Sequence, residues 1–192
     1  VQLNDQQAWV SLQEGREDAF EMIFKAYYQP LCRYAYTFLN DTDEAEEIVQ
    51  TSFVAIWDKR TQVEIQTSLK SYLYRTVRNN CLNAIKHNKV RQQHALYTQA
   101  GGEPTNESVT ESVEGSELEQ KIQLALQTLP EQCRLIFQLS RFEELKYQEI
   151  ADQLELSVKT VENQMGKALR LMREQLKDYL PLFLIWLQIG MN

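Results

Sequence analysis

Four hydrogen-bond donors fall on one line in the middle of the chain. Arg75, Asn79, Asn83 and Lys86 are spaced i, i+4, i+8 and i+11, so on a helix they share one face. Tyr72 lies alongside. Donors next to a flat ring, inside a basic helix, suit the edges and faces of unstacked single-stranded bases. The same spacing also describes the solvated outer face of an ordinary helix. A second set is sharper. Residues 147–166 read YQEIADQLELSVKTVENQMG. Ala151 is small where two crossing helices must approach, and Ile150, Leu154, Leu156 and Val161 fill the space between them. Glu155-Leu156-Ser157 forms the turn, and Ser157 can cap the second helix. This is helix-turn-helix spacing, with Val158–Leu176 as the recognition helix. Lys159, Thr160, Asn163 and Lys167 are its groove-facing candidates. Asn163 suits an adenine edge, whereas lysine and threonine mostly position on phosphate. Arg170 and Arg173 read as phosphate contacts or solvated charges.

Catalytic chemistry finds little support. The histidines, His87 and His94, are seven apart near the end of a basic helix, without zinc-ligand spacing or a nucleophile partner. Cys32, Cys81 and Cys133 lie far apart, odd in number and without C-x-x-C, which disfavours disulfides and a zinc ribbon and suggests a reducing cytoplasm. No enzyme, no metal or other cofactor and no small-molecule substrate is expected.

The elements that must carry these residues are helical. A chain of 192 residues makes one ordinary domain or two small ones. With 43% apolar and 24% charged residues it reads as soluble and globular, and 6 Gly with 4 Pro are few for tight β-turns. The expected class is all-α. The net charge of −7 speaks against nucleic acid, but its distribution does not. Residues 1–64 are acidic. Residues 65–102 hold Lys70, Arg75, Arg78, Lys86, Lys89 and Arg91 and no acid at all. Residues 103–120 carry glutamates and no base, and the rest is balanced. Phosphate binding follows local basic density rather than the total.

Residues 100–115, AGGEPTNESVTESVEG, cannot build a core and read as a flexible linker between two helical domains. Before it, Phe20, Ile23, Phe24 and Tyr27 form one helical stripe. Leu31, Tyr34, Ala35 and Phe38 form another, with Pro30 placed at a first helical turn. Asp41 or Thr42 can cap a third helix with face Ala45, Ile48, Val49, Ser52 and Ile56, widened by Phe53 and Trp57. Ser68 can cap a long fourth helix with Leu69, Tyr72, Leu73, Thr76, Val77, Cys81, Ala84 and Ile85 inward. After the linker, Leu118, Ile122, Ala125 and Leu129 predict a helix ending at Pro130, and Cys133, Ile136, Phe137 and Ser140 the next. The chain starts at Val1 without a signal-peptide pattern. The apolar tail Leu180, Leu182, Phe183, Leu184, Ile185, Trp186, Leu187 and Ile189 is too short to span a bilayer. It is expected to fold back on one of the domains or to dock a partner, with Pro181 separating it from the recognition helix.

With both halves read, the chain resembles a sigma factor of RNA polymerase, of the extracytoplasmic-function (ECF) group of the sigma-70 family. DEAEEIVQTSFVAIWDKR resembles sigma region 2.2, which grips the β′ coiled coil of the polymerase. SLKSYLYRTVRNNCLNAIKHNK resembles regions 2.3 and 2.4, which melt and read the −10 element. LPEQCRLIFQLSRFEELKYQEIADQLELSVKTVENQMGKALRLM resembles region 4, which binds the −35 element and the β flap tip. VKTVENQMGKAL is similar to the group found in Bacteroidetes. The resemblance implies region 2 over residues 1–95, a linker over 96–116, region 4 over 117–178 and a tail over 179–192. It implies polymerase contacts at Ile48, Val49, Gln50, Phe53, Ile56 and Trp57, and −10 contacts at Tyr72, Arg75, Asn79, Asn83 and Lys86. A flipped −10 base would sit in the loop Lys59–Thr67. The implied −35 contacts are Ser157, Lys159, Thr160, Glu162, Asn163, Gly166 and Lys167. Core RNA polymerase and promoter DNA are the implied partners, together with an anti-sigma factor, usually membrane-bound in this group. Three departures stand out. Glu155 replaces a usual turn glycine, at a cost of about 1 kcal/mol if its φ is positive. Lys146 replaces a capping Ser or Thr, so the reciprocal cap with Glu149 is expected to be lost. Tyr72 replaces a usual Trp. Glu162 and Gly166 stand where relatives often carry basic or bulky residues and imply a different −35 sequence. A two-domain helix-turn-helix regulator and a helical adaptor without DNA function remain the alternatives.

Overall fold

The structure is a computed structural model. It describes residues 5–65, 68–98 and 117–189, and within them the side chains of all but 90–98, 119 and 186–189. The predicted linker at residues 100–115, Gln66 and Thr67 of the predicted base-capturing loop, and the side chains of His94, Trp186, Leu187 and Ile189 lie outside the described residues. All regular structure among the described residues is helical. They divide into two compact units, one formed by the described residues of 5–69 and 73–98, the other by 70–72 and 117–189.

In the first unit, α1 (Asp5–Gln13) was not foreseen from the sequence. It buries Ala8, Trp9 and Leu12, and Gly15 ends it at φ +83, a conformation that suits a residue without Cβ. The Tyr27 hydroxyl donates to Asp5 Oδ2 at 2.7 Å and ties α1 to α2 (Glu17–Leu39). The expectation of a fresh helix at Pro30 is corrected, because α2 runs through it unbroken. Proline removes one helical hydrogen bond and costs about 3 kcal/mol in a helix interior. Ile23 and Leu31, on either side, are both fully buried, and each such side chain returns roughly 1.5–3 kcal/mol. Packing on both halves therefore outweighs the break.

Asn40 closes α2 in the left-handed conformation, its N–H donating to Tyr36 O, and Asp41 at once caps α3 (Thr42–Lys59) by accepting from Glu44 N at 2.9 Å. The acids of the first turn, Asp43 and Glu44, suit the positive end of that helix. α4 (Leu69–Thr98) buries Leu69, Leu73, Val77 and Cys81 at helical spacing, as expected. Tyr72, Thr76, Ala84 and Ile85 are only half-buried. Tyr74, absent from the expected stripe, is buried with its ring 4.9 Å from Tyr34. Asn80 Nδ2 donates to Ser52 Oγ at 2.8 Å, joining α4 to α3.

The second unit holds α5 (Glu117–Thr128), α6 (Glu131–Phe142), α7 (Tyr147–Leu154) and α8 (Val158–Gln175) around one core. That core contains Ile122, Leu129, Phe137, Ile150, Ala151, Val161 and Met172, with Leu154 and Leu156 packed half-buried against it. A 3₁₀ turn, Lys177–Tyr179, leads into α9 (Leu180–Ile189). Pro181 does not set the tail apart as expected, since it sits in the first turn of α9, where its missing N–H costs nothing. Phe183 of α9 is 0% exposed and belongs to the same core as α5–α8. Among the described residues no helix is long and apolar enough to cross a membrane.

Candidate functional site

The helix-turn-helix forms as its spacing predicts. α7 ends at Glu155, whose φ of +54 and ψ of +41 place it in the left-handed region. The Glu155 N–H and the Leu156 N–H both return to Ala151 O, which satisfies the helix end and reverses the chain. A glutamate therefore holds the conformation that glycine holds without penalty. Ser157 then caps α8, its Oγ accepting from Thr160 N at 3.0 Å. The expected loss of the reciprocal cap at the start of α7 is corrected by half. The backbone N–H of Lys146 donates to Glu149 Oε2 at 2.7 Å, a bond that depends on no particular side chain at 146. The other half is absent for a chemical reason, since an ammonium has no lone pair with which to accept.

On α8 the core takes Val161, Met165, Ala168 and Met172, which turns the opposite face outward. Ser157, Lys159, Glu162, Asn163, Gly166 and Lys167 are all exposed there, and Thr160 is half-buried. Ser157 Oγ and Thr160 Oγ1 are 2.8 Å apart, so part of their capacity is spent on the cap. Lys159 Nζ lies 3.3 Å from Glu162 Oε2. A Cβ added at Gly166 would meet nothing within 4 Å. Arg170 pairs with Glu174 at 3.9 Å, both well exposed.

On α4, Arg75, Asn79, Asn83 and Lys86 all reach the surface along one line, and Tyr72 sits half-buried on the same side. Leu82, 47% exposed, stands among them. Sequence reasoning passed over it, although its phase, three after Asn79 and four before Lys86, gives it away. The loop that follows α3 is held at its base. Arg60 Nη1 donates to Trp57 O at 2.6 Å, and its guanidinium lies 4.2 Å from the centre of the Trp57 ring. Gln13 Nε2 of α1 donates to Val63 O at 3.2 Å, a contact across fifty positions with no signal in the sequence.

The residues named on α3 separate into two layers. Val49, Phe53 and Ile56 are buried core, with Phe53 between the rings of Phe20 and Phe24 at 6.0 and 4.9 Å. Ile48 and Trp57 are half-buried, and Gln50 is exposed. Trp57 meets Phe20 edge-on at 5.3 Å. Gln50 Nε2 donates to the Tyr28 hydroxyl at 3.1 Å, and burial pushes that hydroxyl's pKa up. Val54, 60% exposed on the outer side of α3, is an apolar surface residue that the inward-facing pattern could not reveal. Among the described residues no group of three or more His, Cys, Asp or Glu is placed to hold a metal ion.

Two family models match the chain, in the order of its two units. The model for Sigma-70 region 2 covers residues 23–91, and that for Sigma-70, region 4 covers residues 119–172. The chain is similar to "ECF RNA polymerase sigma factor SigW" of Bacillus subtilis, 26% identical over 87% of this chain and 94% of that protein. It is also similar to "RNA polymerase sigma-H factor" of Pseudomonas aeruginosa, 24% identical over 88% of this chain and 91% of that one. Among solved structures, CnrH in complex with the cytosolic domain of CnrY matches with a TM-score of 0.55 and 18% identity, covering 91% of this chain and 97% of that one. The sigma factor RpoE in complex with the anti-sigma factor NepR, from Bartonella quintana, matches with a TM-score of 0.54 and 20% identity over 82% and 96% of the two chains. These two likenesses concern the fold.

Proposed function

We propose the following division of labour, because the chain belongs to the sigma-70 family, in its extracytoplasmic-function group. The chain is a promoter-specific initiation factor that acts with core RNA polymerase on promoter DNA. Residues 1–95 act as the polymerase- and −10-binding part, 96–116 as linker, 117–178 as the −35-binding part and 179–192 as tail. The outer side of α3 docks on the β′ coiled coil. Ile48, Gln50 and Trp57 present that surface, joined by Val54, while Val49, Phe53 and Ile56 hold it from beneath.

The exposed line on α4 takes the melted −10 strand. Arg75 and Lys86 meet phosphate, Asn79 and Asn83 offer a donor and an acceptor to base edges, and Tyr72 with Leu82 gives flat and apolar surface to unstacked bases. Extruding a base costs a few kcal/mol, and the loop anchored by Gln13 and Arg60 is the place where contacts offset it. The outward face of α8 enters the −35 major groove, and the second unit meets the β flap. The factor works in the cytoplasm, catalyses no reaction itself, and is restrained by an anti-sigma partner, as RpoE is bound by NepR in its complex.

The observation that carries this reading is that each polar face, on α4 and on α8, stands opposite a sealed core, in the order region 2 then region 4. The test is reconstitution. Purified chain mixed with core polymerase should initiate at a defined set of promoters, and the mapped starts should share a −35/−10 pair. A chain that binds palindromic DNA as a dimer and ignores core polymerase would instead be a helix-turn-helix regulator.

A further inference from the structure

We propose that Glu162 reads the −35 element and selects cytosine there. The inference rests on the placement of α8 in the major groove and adds to it a chemical identity for one base. Glu162 stands in the second turn of α8, on its exposed face, and the early turns of a recognition helix are those that meet base edges. A carboxylate has only acceptors and is repelled by phosphate, so its favourable target in the groove is a base donor. The major groove offers two, cytosine N4 and adenine N6. Adenine sets its N7 acceptor beside N6, opposite the second carboxylate oxygen, and guanine shows two acceptors, N7 and O6. Cytosine presents N4 as the donor without an acceptor of its own on that edge, and a carboxylate favours it over the other bases.

Two neighbours make the contact feasible. Lys159, one turn earlier, brings its ammonium to 3.3 Å from Glu162 Oε2 and supplies the counter-charge that an acid near DNA requires. Gly166, one turn later on the same face, leaves open space where a side chain would stand. Glycine weakens a helix interior, and nothing inside this unit calls for it, since an added Cβ would touch nothing within 4 Å. The gap lets DNA approach the α8 backbone closely, which a short carboxylate needs in order to reach a base.

Full-length chain assembled with core polymerase is offered promoters randomised through the −35 element. Wild type should enrich cytosine at one position by about fivefold or more, the low end for a specific base contact. Glu162→Gln gains a donor and should turn that position toward adenine, while Glu162→Ala should erase the choice there and nowhere else. Gly166→Ala should weaken the same choice with helical content unchanged. If both Glu162 variants keep the wild-type choice at every position and merely bind all sequences more tightly, Glu162 is a solvated charge and the proposal fails. Asn163→Ala run in parallel separates the two levels. A changed preference with Asn163→Ala alone removes Glu162 and keeps the helix placement, whereas no change with Asn163→Ala, Lys167→Ala or either Glu162 variant removes the placement and the proposal together.

Discussion

Replacing Glu155 by glycine should stabilise the helix-turn-helix unit, although it deletes a side chain. Glu155 holds φ +54, and for a residue with a Cβ the left-handed region costs roughly 1–2 kcal/mol. Glycine removes that cost but loses more chain freedom on folding, which takes back roughly 0.5–1 kcal/mol. The difference is about 0.7 kcal/mol, equal to roughly a threefold change in an equilibrium constant. The side chain is exposed, so no core contact is lost. Hydrogen exchange of the amides of Met165, Ala168 and Met172, which carry buried side chains on α8, reads the opening of this unit inside the intact chain. Exchange should slow about threefold in Glu155→Gly and remain unaltered in Glu155→Ala, which keeps the Cβ. Equal effects of the two substitutions, or faster exchange with glycine, would refute the claim that strain at the turn sets the stability of the unit.

Three further outcomes are expected. Val54→Asp, on the exposed side of α3, and the pair Gln50→Ala with Trp57→Ala should each weaken assembly with core polymerase at least about tenfold, the scale of an interface anchor, while far-ultraviolet circular dichroism stays helical. Asn79→Ala should slow open-complex formation on duplex promoters and do so less on templates already melted at −10; equal rates on duplex DNA would take Asn79 out of the site. Burial pushes the Cys32 and Cys81 thiols up to about 11 and about 12. Because the unfolded thiols ionise near pH 8.5 and the folded ones do not, stability should be level up to about pH 8 and fall from there toward pH 11–12, and Cys32→Ala with Cys81→Ala should flatten that fall in urea titrations.

The sequence made the second unit easier to read than the first. Ala151, Val161 and Ser157 carry their roles in residue type and spacing, because a short motif closes on itself within twenty positions. Even the strain at Glu155 was visible once a turn was required there. α1 was not, since Ala8, Trp9 and Leu12 lie in a stretch rich in glutamine and give little amphipathic contrast. Pro30 misled because a local rule about proline competes with burial that is settled by the whole domain. For the candidate sites, periodicity tells which side chains turn inward and leaves the outward ones in one class. It places Arg75, Asn79, Asn83 and Lys86 on a surface line with Leu82 in phase among them, and sets inward Phe53 apart from outward Gln50 on α3, but it gives no reason to single out Val54 among the outward residues. The Gln13–Val63 contact joins segments fifty residues apart and has no local trace.

The two-residue reversal at Asn40 and Asp41 also bears on how the chain comes to be made. α2 and α3 lie against each other with only that hinge between them, so their contacts close short loops and lose little chain entropy. Such a pair can gain packing energy as soon as Lys59 is free, before α4 exists. At a synthesis rate of roughly 5–20 residues per second, the 39 positions from Lys59 to Thr98 take about 2–8 s. For that interval the aromatic seam of Phe20, Phe24, Phe53 and Trp57 can already be assembled, while Tyr34 still waits for Tyr74. The nascent protein thus carries its α3 surface ahead of the basic helix, and a partner that recognises α3 could meet it on the ribosome.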